Sequence, residues 1–268
     1  MLRSLITISA VLMAASPAIA GPLEAGRFAG SVSIGADYPV DGDVHGGATA
    51  PVASLAALNP NLPAVGAELR IQSRSFDDIY GEALTYSLEG AYGLGGNREF
   101  FGAVRRTEAD QGTVQVGTAF VPALSASLPV FGTFGDLNVT SIEAGVRQYF
   151  GSSAIKPFVA GRAGVAFIDE IRASFSVPVP AGVGAEPNDI TLNNVPFYSD
   201  TTTWTVGVDA GAAWDINDRW SLIAETGLRY TGDLDGDDAA LSTLGLSSIN
   251  DKGSRLSVPV TITARYAF

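Results

Sequence analysis

Three groups of residues in this chain have the right chemistry to do something. The first is His45, the only histidine among 268 residues that also lack cysteine. Without cysteine there are no disulfides, thiolate metal sites or sulfur nucleophiles. Asp41 and Asp43 stand close by. No serine lies at a spacing that would make His45 its general base, so a solvated loop histidine is the expectation. The second is the run Asp233-Leu234-Asp235-Gly236-Asp237-Asp238. Asp233, Asp235 and Asp237 sit at alternate positions and could converge on a hard cation such as Ca²⁺. Counting from Asp233, however, Leu244 stands where an EF-hand needs its bidentate glutamate, and the glycine comes too early. A solvated acidic loop is expected, with divalent binding as the weak alternative.

The third group is larger. Glu89, Glu143, Asp209 and Glu225, with Arg105, Arg147, Arg162, Arg229, Arg255 and Arg265, each interrupt a segment in which every second residue is apolar. Charges on the wet face of such segments are costly to bury singly and should pair with one another. No residue set points to catalysis and no motif to a cofactor. The formal charge of −12 and isoelectric point near 4.4 disfavour nucleic acid, which needs clustered positive charge.

The segments that carry these charges follow a period of two. Leu256, Val258, Val260, Ile262, Ala264, Tyr266 and Phe268 alternate with Arg255, Ser257, Pro259, Thr261, Thr263, Arg265 and Ala267. Trp204 to Trp214 and Trp220 to Tyr230 repeat the pattern, as do Leu84 to Leu94 and Ile142 to Val146. The series opens at Phe28, Val32, Ile34, Ala36 and Tyr38. It is looser at Val159 to Phe167 and poorest at Phe100 to Val104. Strict alternation of this kind predicts strands with one apolar and one polar face. Beyond residue 20 no run of about 18 apolar residues occurs, so no spanning helix is expected.

Connection lengths then suggest a topology. Gly95-Gly96-Asn97, Gly151-Ser152-Ser153-Ala154 and Asn217-Asp218 are tight, whereas about 39–82, 108–138, 169–201 and 232–253 are long and polar. Long and short alternate, which predicts a transmembrane antiparallel up-and-down β-barrel of eight strands. In this layout the short turns are periplasmic and the long loops extracellular. A second alternating stretch, Val65 to Ile71, and another, Val114 to Phe120, would give ten strands if both joined the barrel; otherwise they are arms above the membrane. The Gly/Ala/Pro-rich runs 46–63 and 121–135 read as pliable loop.

Aromatic residues supply a ruler. Phe28, Tyr92, Phe100, Phe150, Trp214, Trp220, Tyr266 and Phe268 lie on the apolar parity beside the short turns or chain ends. Tyr38, Phe167, Trp204 and Tyr230 lie at the opposite strand ends. Ten residues separate the two levels, which at ~3.3 Å per residue and a ~40° tilt is about 25 Å, the height of an apolar band between membrane-interface girdles. An eight-stranded lumen is narrow enough for side chains to fill, so a salt-bridged plug is expected over an open pore; a narrow gated channel is the alternative.

At the N-terminus, Arg3, the apolar run Leu5–Ala15 and Ala18-Ile19-Ala20 predict a cleaved signal peptide over 1–20, leaving a barrel domain over 21–268. Over residues 27–268 the chain resembles the small outer-membrane β-barrels of the opacity and OmpA-type class. The most specific element is the final strand ending Arg265-Tyr266-Ala267-Phe268. The resemblance implies a bacterial outer-membrane location among lipid and lipopolysaccharide. It also implies an assembly signal at Tyr266 and Phe268, read by the barrel-assembly machinery. It implies no single activity, because the class contains adhesins, scaffolds and a few lipid-modifying enzymes. The peptidoglycan-binding domain of the full OmpA plan is not expected here. A non-enzymatic envelope protein, acting in membrane integrity or through its loops on a surface ligand that the sequence does not identify, is preferred to a rim enzyme working on lipid A or a surface peptide.

Overall fold

The computed structural model describes residues 22–151 and 154–268; the expected signal peptide lies outside them. In chain order the strands begin with β1 (Phe28–Asp41), β2 (Asp43–His45), β3 (Ala48–Val52), β4 (Ala67–Ile71) and β5 (Arg74–Ser75). A four-residue helix, α1 (Phe76–Ile79), precedes β6 (Ala83–Gly95), β7 (Arg98–Ala109), β8 (Gly112–Val121) and β9 (Ala126–Phe134). Then come β10 (Leu137–Tyr149), β11 (Ile155–Ile168), β12 (Ile171–Val177) and β13 (Ile190–Tyr198). The last are β14 (Thr201–Asp215), β15 (Trp220–Thr231) and β16 (Arg255–Ala267).

Eight of these strands close on themselves in the order β1-β16-β15-β14-β11-β10-β7-β6, every neighbour antiparallel. Closure leaves no unpaired edge, which is what a sheet surrounded by hydrocarbon requires. The strand count is therefore eight. The alternating set faces outward: Leu88, Val208 and Phe268 are 64%, 60% and 71% exposed. The interleaved set faces the lumen, where Arg147 and Glu99 are almost fully enclosed. At the β6–β7 turn, Gly96 and Asn97 both have positive φ (61° and 63°), the geometry of a type I′ hairpin that glycine and asparagine tolerate.

The lumen is tight enough to require glycine. Gly145 faces inward on β10, and a Cβ there would stand 2.5 Å from the Phe101 ring and against the Gly161 carbonyl. Gly145→Ala is expected to lower stability by about 1–3 kcal/mol, the usual cost of overpacking a filled core. A urea-unfolding midpoint in lipid vesicles reads this directly, and Phe101→Leu in the same chain should recover part of the loss.

The long connections are not pliable loops, which corrects the reading of 46–63 and 121–135. Strands β3, β4, β8, β9, β12 and β13 form a six-stranded sheet, in the order β13-β12-β9-β8-β4-β3, beyond the barrel. The stretches around 67–71 and 114–120 are β4 and β8 of this sheet. Four barrel strands run into it after breaks of two residues each: Asp110-Gln111, Gly135-Asp136, Asp169-Glu170 and Ser199-Asp200. Backbone groups released from the ladder at the breaks find new partners, as buried or half-buried amides must. The Gln111 amide donates to Asp136 Oδ1 and the Glu170 amide to Asp200 Oδ1, both at 2.8 Å. The Gly135 amide donates to the Arg172 carbonyl at 2.8 Å.

The result is a dome with its own apolar core. Val44, Leu55, Val116, Phe134, Ile171 and Phe197 are buried in it, together with Leu241, Leu246 and Ile249 from the 232–253 connection. Phe76 and Ile79 of α1 join the same core and carry it down to the barrel mouth at Ala83, Ala109 and Val139. α1 is fixed by a capping box, in which Ser75 Oγ accepts from the Asp78 amide and Asp78 returns the bond to the Ser75 amide. A second apolar cluster, including Leu23, Phe101, Tyr149, Phe158 and Ile223, lies toward the opposite end of the lumen.

Candidate functional site: a neutralised lumen beneath an acidic dome

Between the two apolar clusters lies the charge network. Arg147 grips Glu89 with two parallel bonds of 3.1 Å and stands 3.6 Å from both Glu99 and Glu225. Arg162 bonds Asp209 at 2.6 Å and Glu225 at 2.9 Å, and lies 3.4 Å from Glu143. Arg229 bonds both oxygens of Glu143, at 2.7 and 2.9 Å, and Asp209 at 3.2 Å. Arg105 is held least closely, 3.9 Å from Glu143. Arg265 pairs with Glu99 at 2.7 Å, and Arg255 with Asp37 at 3.0 Å.

The structure thus brings nine of the ten expected lumen charges into one network and pairs the tenth, Arg255, separately. Sequence reasoning had four acids against six arginines and missed Asp37, Glu99, Lys156 and Asp215. The last two pair with each other. With these four, seven cations face seven carboxylates, and every member has an opposite charge within 4.0 Å. A buried ion cluster persists only when it is paired and hydrogen-bonded. Strand parity would have found all four residues, since each stands at an inward position close to a strand end. Aromatic rings line the network below: Arg147 lies 4.8 Å from the Phe101 centroid and 5.0 Å from Phe158, and Arg162 5.0 Å from Phe101.

Through its charge network the lumen is filled: toward the dome end a hollow of ≈20 Å³ lies among Arg105, Glu143, Arg229 and Arg255, about the room one water needs. A pocket of ≈290 Å³ at the opposite mouth reaches in to Tyr149, Lys156, Asp215 and Arg265. At the end opposite the dome the segment before β1 folds across the mouth. There the Leu23 amide donates to Glu99 Oε1 at 2.9 Å and the Leu23 side chain is buried. Arg27 holds the Phe268 backbone oxygen at 2.7 and 3.0 Å.

Outside, the aromatic residues gather at two levels. Phe28 with Tyr92, and Trp220 with Tyr266 and Phe268, form contacts of 4.9 to 5.3 Å at the turn end, where Phe100, Phe150 and Trp214 are also exposed. Trp204 and Tyr230 pair at 5.0 Å at the dome end, with Tyr38 and Phe167 exposed. Just beyond, Arg106 bonds Glu108, Thr140 and Asp169 on the outer face, so the apolar band stops where paired charges begin.

One expectation for the connections needs correction. His45 is not solvated. It is 1% exposed, stacked on Phe134 at 5.6 Å, because hairpins far apart in sequence fold over it. Burial holds its imidazole below the ordinary histidine pKa. Asp233, Asp235 and Asp237 do not converge, and no metal-binding group of three or more His, Cys, Asp or Glu occurs among the described residues. Asp233, Asp235 and Asp238 are exposed, and the backbone of the segment is laid against β13. Gly236 bridges Tyr198, the Asp235 amide bonds Thr201 Oγ1, and the Asp237 carboxylate caps the Ala239 amide. The acidity nevertheless has a location. The stretches 39–82, 108–138, 169–201 and 232–253 hold 19 of the chain's 28 acidic residues and four of its 16 basic ones.

No protein-family model and no curated sequence matches the chain. Solved structures show a partial likeness to it. Neisserial surface protein A matches at 15% identity with a TM-score of 0.42, covering 91% of this chain and 98% of that one. The outer membrane protein AlkL matches at 14% and 0.40, covering 96% and 97%. Ail, the attachment invasion locus protein of Yersinia pestis, matches at 13% and 0.36, covering 91% and 99%. These likenesses concern fold alone. The chain itself is a closed eight-stranded antiparallel barrel.

Proposed function

We propose that this protein spans the bacterial outer membrane as a closed, non-conducting barrel and acts at the cell surface through its folded dome, without catalysis. One observation carries the reading. A hydrogen-bonded ring of strands presents apolar side chains outward, while its lumen is filled by ion pairs between two apolar plugs. The two aromatic levels then lie at the two membrane interfaces, among outer-membrane lipid and lipopolysaccharide, with the dome outside. Tyr266 and Phe268 close the last strand where the barrel-assembly machinery would engage it. A non-enzymatic role is supported by His45, whose surroundings are apolar and whose Nδ1 is committed to the Gly46 carbonyl at 3.0 Å.

The reading is tested with protein folded into vesicles of brominated phospholipid. Trp204, Trp214 and Trp220 are 53%, 41% and 46% exposed on the outer face, so their fluorescence should fall severalfold relative to unbrominated vesicles. Planar-bilayer recordings on the same material should show no steady conductance. Unquenched tryptophans would remove the membrane assignment. A stable open current would remove the closed lumen.

A further inference from the structure

The ≈20 Å³ hollow toward the dome end of the lumen is lined by five charged side chains, and their charges do not balance. Arg105, Arg229 and Arg255 stand there with Asp37 and Glu143, a surplus of one positive charge. The other four lumen cations meet five carboxylates. One of those five, Asp215, lines the pocket in the opposite mouth, where water can screen the surplus. The dome end has no such relief. Arg105 and Arg255 are only 7% and 6% exposed, and an uncompensated cation buried that deeply is costly.

The hydrogen bonds point the same way. Of the five donors a guanidinium carries, Arg105 spends one, on Thr85 Oγ1 at 3.4 Å, and Arg255 spends one, on Asp37 Oδ2 at 3.0 Å. Arg105 Nε, Arg229 Nε and Asp37 Oδ1 are sealed within the wall without a partner. Arg105 Nη2 and Arg255 Nε and Nη1 are neither sealed nor bonded among the described residues. Both oxygens of Glu143 already accept from Arg229, and the unbonded oxygen of Asp37 is the sealed one. The hollow therefore offers spare arginine donors and no spare carboxylate oxygen. A water molecule would leave the surplus charge in place, whereas a small anion removes it and needs only to accept.

We propose that the lumen holds a resident chloride ion in this hollow, accepting from Arg105 Nη2 and from Arg255. The space exceeds the ~10–15 Å³ that a water requires, and chloride is only slightly larger than water; phosphate, sulfate and organic carboxylates are too bulky. The ion is structural. It completes the charge network directly beneath α1, whose Phe76 ring lies 5.8 Å from the Arg255 guanidinium. The site belongs to the lumen alone and does not depend on which way the dome faces.

Bromide in place of chloride during folding and crystallisation makes the ion visible by its anomalous scattering. One peak is expected in the hollow, within hydrogen-bond reach of Arg105 and Arg255. Stability gives a second readout, in vesicles at constant ionic strength with gluconate making up the balance. Each tenfold rise in chloride above the dissociation constant should lower the unfolding constant at fixed urea about tenfold, the linkage of one bound ion. Arg105→Met should abolish that dependence, which a general salt effect would survive. Three outcomes would overturn the proposal: no bromide in the hollow, stability indifferent to chloride, or an unchanged dependence in Arg105→Met. If Arg105→Met does not fold, Ala166→Val, which narrows the hollow from its wall, is held to the same criteria.

Discussion

Glu143→Ala is expected to be the most damaging single substitution in the barrel, lowering stability by about 3–5 kcal/mol, the usual cost of breaking a buried ion pair from one side. The Glu143 side chain is 1% exposed and accepts two bonds from Arg229 and one from the Ser141 hydroxyl. It also lies within 4.0 Å of Arg162 and Arg105. Arg162 and Arg229 keep Asp209 when it is lost, but Arg105 has no other carboxylate within that distance among the described residues. The damage is therefore an uncompensated buried cation more than a missing contact. Urea unfolding in vesicles gives the magnitude. The double variant Glu143→Ala with Arg105→Met should be more stable than Glu143→Ala alone, because the stranded charge has gone too. A Glu143→Ala protein within about 0.5 kcal/mol of the parent, the range of ordinary surface changes, would show that the lumen charges are solvated.

The second large effect is expected in the dome and should stay there. Phe134 is fully buried, stacked on His45 at 5.6 Å and edge-on to Phe197 at 5.3 Å and Phe175 at 6.1 Å. Phe134→Ala should cost about 3–5 kcal/mol of packing in that core. The barrel has its own ion network, its own lower apolar cluster and a closed hydrogen-bond ring. It should therefore stay folded while the hairpins β8–β9 and β12–β13 become open to surface protease. Limited proteolysis with mass spectrometry would find new cuts within 112–134 and 171–198 and none in the barrel strands. Loss of barrel and dome in one transition would show that the two cores are a single cooperative unit.

The contrast explains what could be read from the amino-acid order. A barrel wall in lipid has one apolar face along its whole length, so Trp204 to Trp214 or Leu256 to Phe268 announces itself by period alone. The four missed lumen charges obey the same parity. They escaped because Asp37, Glu99, Lys156 and Asp215 stand near strand ends, where polar residues are expected anyway. Balancing the lumen to neutrality would have exposed them. The dome was hidden for a different reason. Its strands are short, rich in Gly, Ala and Pro, and separated from the barrel by Asp-containing pairs that carry the composition of turns. Their apolar sides bury only against one another across long sequence separations, as when the Tyr198 hydroxyl donates to the Val44 carbonyl 154 residues away. The surroundings of His45 are fixed by that closure, and nothing local to Asp43-Val44-His45-Gly46 encodes them.

The crowding of nineteen carboxylates in the stretches at one end of the barrel bears on how the molecule would reach its resting place. Ionised groups dragged through hydrocarbon cost several kcal/mol apiece, so in the proposed orientation these segments would cross by a hydrated route, before the ring of strands has sealed. The same barrier would then oppose their return. In that placement the folded cap would work as a toggle bolt, fixing which way the protein points and keeping it from backing out.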